Sequence, residues 1–459
     1  MTRSRRTTFP RSLRPSGNGP RARAPRGVPG AVLAASVAGA LAVSGCGVVP
    51  GMGGGGPGPL KVMTFAPEKT QATNMPGMPA MAHAYARWVN SRGGLDGRRL
   101  QVITCNERNT AKGASDCARQ AVREEAVAVV GSYSQHGDAF LPPLEAAGIP
   151  FIGGFGISDE EFDSYLSYPV NGGQPALLAG HGIQLADVCR RVALVRPDSI
   201  TGDRLPRLLN AGLAEGDTPT TDVLAPEDAT DYTEAARRAR AEAGAPPGGP
   251  AGPGSGAGPG SGEEERPGCV TAALGDRTET FFDSFRRLPD DEARVRVSSV
   301  LGSVGQPLIN RTGGRNGPFE GAFVTGWYPD SGDERWAGMK RVIDEHAFGD
   351  NRVDPADPGV QTTWIAYTVL RTVVESLDGD EITARRVADA LDDGVRVTTG
   401  GLTPELRWEY RDMLGIPGFP RIVNPRVTFQ EVRDGRLVAQ REGFVDVSET
   451  LTDSVSLVN

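Results

Sequence analysis

The chain of 459 residues is poor in the groups that carry metal and nucleophilic chemistry, with five cysteines and four histidines. The histidines, His83, His136, His181 and His346, are scattered and no Cys-x-x-Cys pair occurs. The clustered ligand spacing of a zinc site is therefore missing, and no metal is expected. No G-x-S-x-G elbow, no G-x-x-x-x-G-K-[ST] loop and no H-E-x-x-H helix is present, so the main hydrolase, phosphate-loop and zinc-protease signatures are absent. "SYSQH" (132–136) sets serines beside a histidine, but a catalytic triad needs a histidine brought in by the fold and an orienting acid. The chain reads as a non-enzyme with no catalytic residue and no cofactor. Positive charge is also short. The formal charge is −8, and the first 45 residues hold eight arginines and no acid, so the remainder carries −16. A chain that acidic is a poor partner for phosphate backbones, and no nucleic-acid partner is expected. Nor does any apolar run reach the roughly 20 residues that span a bilayer.

The longest apolar stretch is "GAVLAASVAGALAVSG" (30–45), behind the arginine-rich start. A basic segment, a short apolar segment and small residues at its end describe a secretory signal. Its ending, "VSGC" at 43–46, resembles the lipobox of bacterial lipoproteins, which implies acylation of Cys46 and a lipid anchor to the membrane. "SRRTTF" is similar to a twin-arginine signal, with Phe9 one place too late, and the export route stays open. Residues 1–45 are read as the signal peptide and 46–59, largely glycine and proline, as a flexible tether. Four cysteines then remain: Cys105, Cys117, Cys189 and Cys269. An even number outside the membrane reads as two disulfides. Three connectivities exist, and Cys105–Cys117 with Cys189–Cys269 is preferred because the first pair spans one strand-to-helix unit.

From residue 60 onward strands and helices alternate. "LKVMTF" (60–65), "RLQVITC" (99–105), "AVAVVGSYS" (126–134) and "IPFIGGFG" (149–156) read as strands, with helices between them. A second series follows: "RVALVRPD" (191–198), "TTDVLAP" (220–226), "CVTAALG" (269–275) and "VRVSSVLG" (295–302). This alternation implies parallel sheets with helices on both faces. The Gly/Pro-rich stretch 244–268 falls between a helix and its expected next strand. It is read as a disordered surface loop inside a domain. Residues 364–377 form a late amphipathic helix, and 426–447 a hairpin with Asp434-Gly435 at its turn.

In open parallel sheets ligands bind beyond the carboxyl ends of the strands. Those ends are small, polar and glycine-rich here: "FAPEKTQATNM", "GSYSQHG", "GGFGIS", "RPDSITG" and "LGDRTET". Ser132, Ser134 and Ser158 suit helix N-caps as well as ligand contacts, and Asp198 is equally placed to cap its following helix. Asp276 with Arg277 reads equally as a surface pair. Phe155, Trp327 and Tyr328 fit either core or a cleft lining.

With these stretches in order, the chain resembles the type I periplasmic solute-binding proteins of ABC importers, in the leucine/isoleucine/valine-binding branch. The resemblance rests on "ARWVNSRGGLDGRRLQVI" (86–103), "AVAVVGSYS", "PPLEAAGIPFIGG" (142–154), "RVALVRPD" and "WIAYTVLRTVVESL" (364–377), and covers about residues 60–440. It implies an α/β fold of two Rossmann-like lobes joined by a three-crossover hinge. Lobe 1 would be 60–172 plus 330–394, and lobe 2 would be 173–329 plus 395–459. It also implies a small-molecule solute between the lobes, an ABC permease as partner and an extracytoplasmic, membrane-anchored location. The loops matching the family's first-lobe contacts supply Tyr133, Ser134, Phe155, Gly156 and Ser158. Ser134 and Ser158 would hydrogen-bond a ligand carboxylate, assisted by backbone N–H groups. Asp198, Thr201 and Asp276 are the second-lobe candidates. Two departures bear on the ligand: Thr201-Gly202 stands where amino-acid binders often place an aromatic, and "CNERN" (105–109) where a strand usually ends in two aspartates. The expected solute is an amino acid or a related carboxylate or amide. A sensory module that signals to a membrane partner without transport is the alternative.

Overall fold

The computed structural model describes residues 58–70, 73–199, 202–226, 229–244, 266–289, 295–300, 304–379 and 381–456. The segment read as a signal peptide, Cys46, almost all of the expected tether, Thr201 and all but the ends of the 244–268 stretch lie outside the described residues.

The first sheet holds β1 (Leu60–Ala66), β2 (Leu100–Asn106), β3 (Val129–Val130), β4 (Phe151–Ile152) and β5 (Ser167–Tyr168). Their order is β2-β1-β3-β4-β5, every pair parallel. Helices α1 (Gly77–Asn90), α2 (Ala111–Arg123), α3 (Gly137–Ala147) and the single turn α4 (Glu160–Asp163) connect them. All but one residue of β1 is buried, as a strand covered on both faces requires.

The chain then leaves through α5 (Gly173–Val188) and builds β6 (Arg191–Pro197), α6 (Leu205–Leu213), β7 (Thr220–Ala225), α7 (Thr233–Gly244), β8 (Gly268–Ala272), α8 (Thr278–Arg286), β9 (Val295–Val300), α9 (Gln306–Arg311) and β10 (Phe323–Gly326). It returns to the first lobe as α10 (Ala337–His346), α11 (Pro358–Ser376) and α12 (Ala384–Asp392), and ends with β11 (Arg426–Arg433), β12 (Arg436–Ala439), β13 (Val445–Asp446) and α13 (Ser448–Ser456). The second sheet runs β12-β11-β10-β9-β8-β6-β7, with β13 beside β11. Its strands from β7 to β10 are parallel and repeat the relative order of the first sheet. β11 and β12 add an antiparallel hairpin at one edge. Asp434 and Gly435, at φ 55 and 71, make its two-residue turn, the left-handed pair that matches strand twist. A Cβ on Gly435 would also lie 2.3 Å from Arg315 N.

Two expected strands contract to two residues. The runs 126–134 and 149–156 pair only over β3 and β4, because their glycine-rich ends turn away as loops. β5 and β10 carry too few apolar residues in alternation to stand out in the sequence. Helix α11 begins six residues before the amphipathic run, since Pro358 sits at its first turn and Asp357 accepts the N–H groups of Gly359 and Val360 at 2.7 and 3.0 Å. That is a side-chain cap ahead of a proline, the arrangement that starts a helix most readily.

The chain passes between the sheets three times, after β5, after β10 and before β11. The first passage is short and buried, so carbonyls in it and at the strand and helix ends that flank it need donors. They receive side chains: Arg421 Nε donates to Ser167 O at 2.6 Å, Trp408 Nε1 to Pro169 O at 3.1 Å, Asn424 Nδ2 to Val170 O at 3.1 Å and Trp327 Nε1 to Gly173 O at 2.9 Å. Residues 397–424 therefore lie on the first lobe's side of the hinge up to Asn424, with Val397, Leu406, Trp408 and Ile422 in its core.

Cys105 of β2 bonds Cys117 of α2, and Cys189 at the end of α5 bonds Cys269 of β8, with Cα separations of 5.7 and 5.9 Å. The two close loops of 12 and 80 residues by sequence separation. Chain entropy gives about 3 kcal/mol for the shorter loop and about 4.5 kcal/mol for the longer. The double variant Cys189→Ala/Cys269→Ala should accordingly lose more stability in urea unfolding than Cys105→Ala/Cys117→Ala. Equal losses would show that loop length does not govern these bonds.

Candidate functional site

The loops after β3 and β4 meet at the junction of the lobes. The rings of Tyr133 and Phe155 lie 5.3 Å apart, and Phe155 meets Trp327 edge-to-face at 4.9 Å and 84°. Trp327 continues to Tyr328 at 6.0 Å, and Tyr328 to Trp336 at 6.1 Å. The row starts on the first lobe and ends on the second passage between the lobes. Each ring brings a large apolar area, and edge contacts of this kind add about 1 kcal/mol beyond burial. Tyr328 is fixed at its far end as well: its hydroxyl accepts from Asn171 Nδ2 at 2.9 Å and shares a hydrogen bond with Thr362 Oγ1 at 3.0 Å. Burial pushes its pKa up to about 12.

The two serines expected to hold a ligand carboxylate face carboxylates of the chain itself. Ser134 Oγ donates to Glu107 Oε2 at 3.4 Å and accepts from His136 N at 3.1 Å. Ser158 Oγ donates to Glu161 Oε1 at 3.3 Å. Glu161 also accepts the N–H groups of Gly156, Ile157 and Ser158 at 3.1, 3.0 and 3.0 Å. The local pattern is Ser158-x-x-Glu161, in which a carboxylate reaches back to amides that open a helical turn. Glu161 is 2 % exposed. Its burial raises its pKa to about 7, although the four donors favour the charged form. Glu107, also buried, is raised for the same reason.

Of the remaining candidates, Asp198 is exposed, and its backbone N–H bonds Ala225 O at 3.1 Å. Asp276 sits in a 3-10 turn with its side chain outside the description. The structure thus gathers Tyr133, Ser134, Phe155, Gly156 and Ser158 around one loop pair and leaves Asp198 at the surface. Across the junction, Arg204 at the start of α6 forms an ion pair with Asp159 beside Ser158. That contact joins the loop after β4 to the segment after β6, so the carboxyl ends of both sheets face one another. With both partners half exposed, the pair contributes at most about 1 kcal/mol.

On the other side of Tyr328 lies a small cleft of about 10 Å³, room for one water-sized group, lined by Gln306, Tyr328, Asp330, Ser331, Gln361 and Gln430 among others. It draws on both lobes and on the second passage. Gln430 of β11 is buried, and its Nε2 donates to Tyr328 O at 2.9 Å and to Thr428 Oγ1 at 3.0 Å. The carbonyl of Tyr328 can only accept, so this amide orientation is set by its partners. Gln430 Oε1 has no hydrogen-bond partner among the described residues. Asp330 is half-buried, with one carboxylate oxygen accepting Gly332 N at 2.9 Å and its pKa raised by burial. Gln430 escapes a reading of the sequence because a polar residue in an edge hairpin looks like an outward-facing one. No cluster of three or more possible metal ligands occurs among the described residues, and no helix among them is long and apolar enough to cross a membrane.

Residues 70–412 match the family model described as periplasmic binding protein. Two sheets of one strand order, facing across three passages of chain, define a two-lobed binding protein of type I. The chain belongs to the periplasmic binding protein family. No curated protein sequence matches it. Solved structures share its fold at low identity. A leucine-binding protein from Thermotoga maritima superposes with TM-score 0.60 at 14% identity, covering 84% of this chain and 99% of its own. A fatty acid ABC transporter substrate-binding protein from Thermomonospora curvata gives 0.63 at 13%, with 85% and 94% covered. A solute-binding protein of an ABC transporter from Rhodopseudomonas palustris, in complex with 3,4-dihydroxybenzoic acid, gives 0.62 at 13%, with 84% and 97% covered.

The buried Glu161 makes stability depend on pH. A carboxyl whose folded pKa lies near 7 stays protonated in the folded chain while the unfolded chain ionises from about 4.5 upward. Its contribution is thus fully present below pH 4.5 and is lost as pH rises to 7, by about 3 kcal/mol. Wild type should lose that stability relative to Glu161→Gln across this window in denaturant titrations. A constant difference between the two proteins would show that Glu161 is ionised throughout.

Proposed function

We propose that this protein is the extracytoplasmic solute-binding component of an ABC importer. Cys46 tethers it by lipid to the outer face of the membrane, and it captures a small polar solute between its lobes. It acts by binding and closure, with no bond made or broken. The observation that carries this reading is the aromatic row from Tyr133 through Phe155 and Trp327 to Tyr328, standing where the carboxyl ends of two matched sheets converge on a hinge. Apolar walls with a few convergent polar groups are the usual make-up of a small-molecule site. A solute that touches both lobes favours the closed form by its differential affinity and shifts the population toward it. The closed form is the surface that a membrane permease would read. Family membership supports the location and the transport partner, and the relatives' printed ligands (leucine, fatty acid, dihydroxybenzoic acid) show how varied the solutes of this fold are. The "LAVSGC" ending supports the anchor.

The test is a thermal-shift screen of amino acids, amides, amines and small acids, with X-ray scattering on each hit. A true solute at one hundred times its Kd should add about 2.7 kcal/mol of stability and reduce the radius of gyration. Trp327→Ala should weaken the same solute at least tenfold. Hits that stabilise without compaction, or that bind Trp327→Ala unchanged, would overturn the closure mechanism.

A further inference from the structure

The unmet acceptors and the filled donors of the junction together say which end of a solute belongs where. On the first lobe, the amides of Gly156, Ile157 and Ser158 and the hydroxyl of Ser158 are the donors a solute carboxylate would use. All four are taken by Glu161. The loop is shaped around that side chain: a Cβ on Gly154 would stand 1.9 Å from Glu161 Oε2. On the hinge side the balance is reversed. Gln430 Oε1 is buried without a donor in a cleft that Asp330 also lines, and Asp330 spends one oxygen on Gly332 N. A buried acceptor left without a partner costs about 1–3 kcal/mol, and a ligand that brings a donor recovers it.

We propose that the hinge-side cleft seats the hydrogen-bond donor end of the solute, an ammonium or primary amide received by Gln430 Oε1 and the Asp330 carboxylate, while Glu161 bars a solute carboxylate from the first-lobe loop. This rests on the binding-protein reading and gives it a ligand class: an amine or amide rather than a carboxylic acid. Asp330 adds a preference for positive charge. Gln430 supplies the geometry, because its amide is locked by Tyr328 O and Thr428 Oγ1 and cannot turn its nitrogen toward the ligand.

The experiment uses glycinamide and acetate as probes, read by thermal shift and by calorimetry on the full chain. Glycinamide should bind wild type saturably and acetate should not. Gln430→Met keeps the side-chain volume and should weaken glycinamide at least tenfold. Asp330→Asn, a half-exposed change that leaves the core alone, should weaken cationic glycinamide several-fold more than neutral acetamide, a split that mere loss of folding would not produce. Glu161→Ala empties the loop and should acquire saturable stabilisation by acetate, which Glu161→Gln, with the seat still full, should lack. Failure of glycinamide to bind wild type, equal binding by Gln430→Met, or acetate acting equally on wild type and Glu161→Ala would each overturn the proposal. A carboxylic acid that closes the wild-type lobes with Glu161 in place would overturn it too, yet leave the binding-protein reading standing. Absence of closure with every compound would strike that reading itself, while the acetate arm needs no solute and still judges the Glu161 seat.

Discussion

The indole N–H of Trp327 donates to the carbonyl of Gly173, and the junction of the lobes depends on bonds of this kind. Backbone that passes between two sheets belongs to neither ladder, so its carbonyls are orphaned as soon as they are buried. Here the first passage, with the end of β5 and the start of α5, gives carbonyls to side chains of the other two: Trp327 from the second, and Trp408, Arg421 and Asn424 from the segment leading to the third. Three crossings are thereby fastened into one hinge whose irregular course is fixed by long polar side chains. The same indole meets the ring of Phe155 edge-to-face, so one residue both fastens the hinge and joins it to the first lobe's aromatic loop. Any movement of one lobe against the other must be absorbed around these contacts, which is why the site and the hinge share residues.

The order of strands and helices was legible because a sheet buried on both faces writes itself as apolar runs punctuated by glycine. Residues 60–65 and 99–105 became β1 and β2 nearly as read, and Asp434-Gly435 turned the hairpin. The two-residue strands were not legible as such, since their apolar runs continue into loops that serve the site. β10 was missed for a related reason: "FVTG" is short, and its neighbours Trp327 and Tyr328 carry the signal of an aromatic cluster instead. The packing of 397–424 onto the first lobe follows from Trp408 and Arg421 reaching carbonyls more than two hundred residues away, a relation no local pattern contains.

For the site the division is sharper. Loop position marked Tyr133, Ser134, Phe155, Gly156 and Ser158, and the fold does assemble them. Their chemical roles were hidden, because a serine in a glycine-rich loop looks the same whether its partner is a ligand or the chain. The partner, Glu161, lay three residues beyond Ser158 in an acidic run that reads as a solvated turn. Gln430 was hidden by the opposite effect, a polar residue on a strand whose inward face happens to be polar. Both residues acquire meaning only from what they face: four donors around one, none before the other.

A buried carboxylate is a costly way to hold a loop. Replacing a buried ionic group by packed apolar atoms is often neutral or stabilising, and an apolar residue at position 161 with a shorter loop would spare the desolvation that lifts its pKa to about 7. What an apolar residue could not do is satisfy the three amides and the hydroxyl that point inward. Left alone, those donors would form an anion nest opening near the aromatic row, and the cleft would then select acids. With Glu161 in place the first lobe offers the solute rings and little else, and selection passes to acceptors on the hinge side. The charge of −16 carried by residues 46–459 acts in the same direction at long range, favouring the approach of cations over anions. Local seat and overall field thus both disfavour an anion.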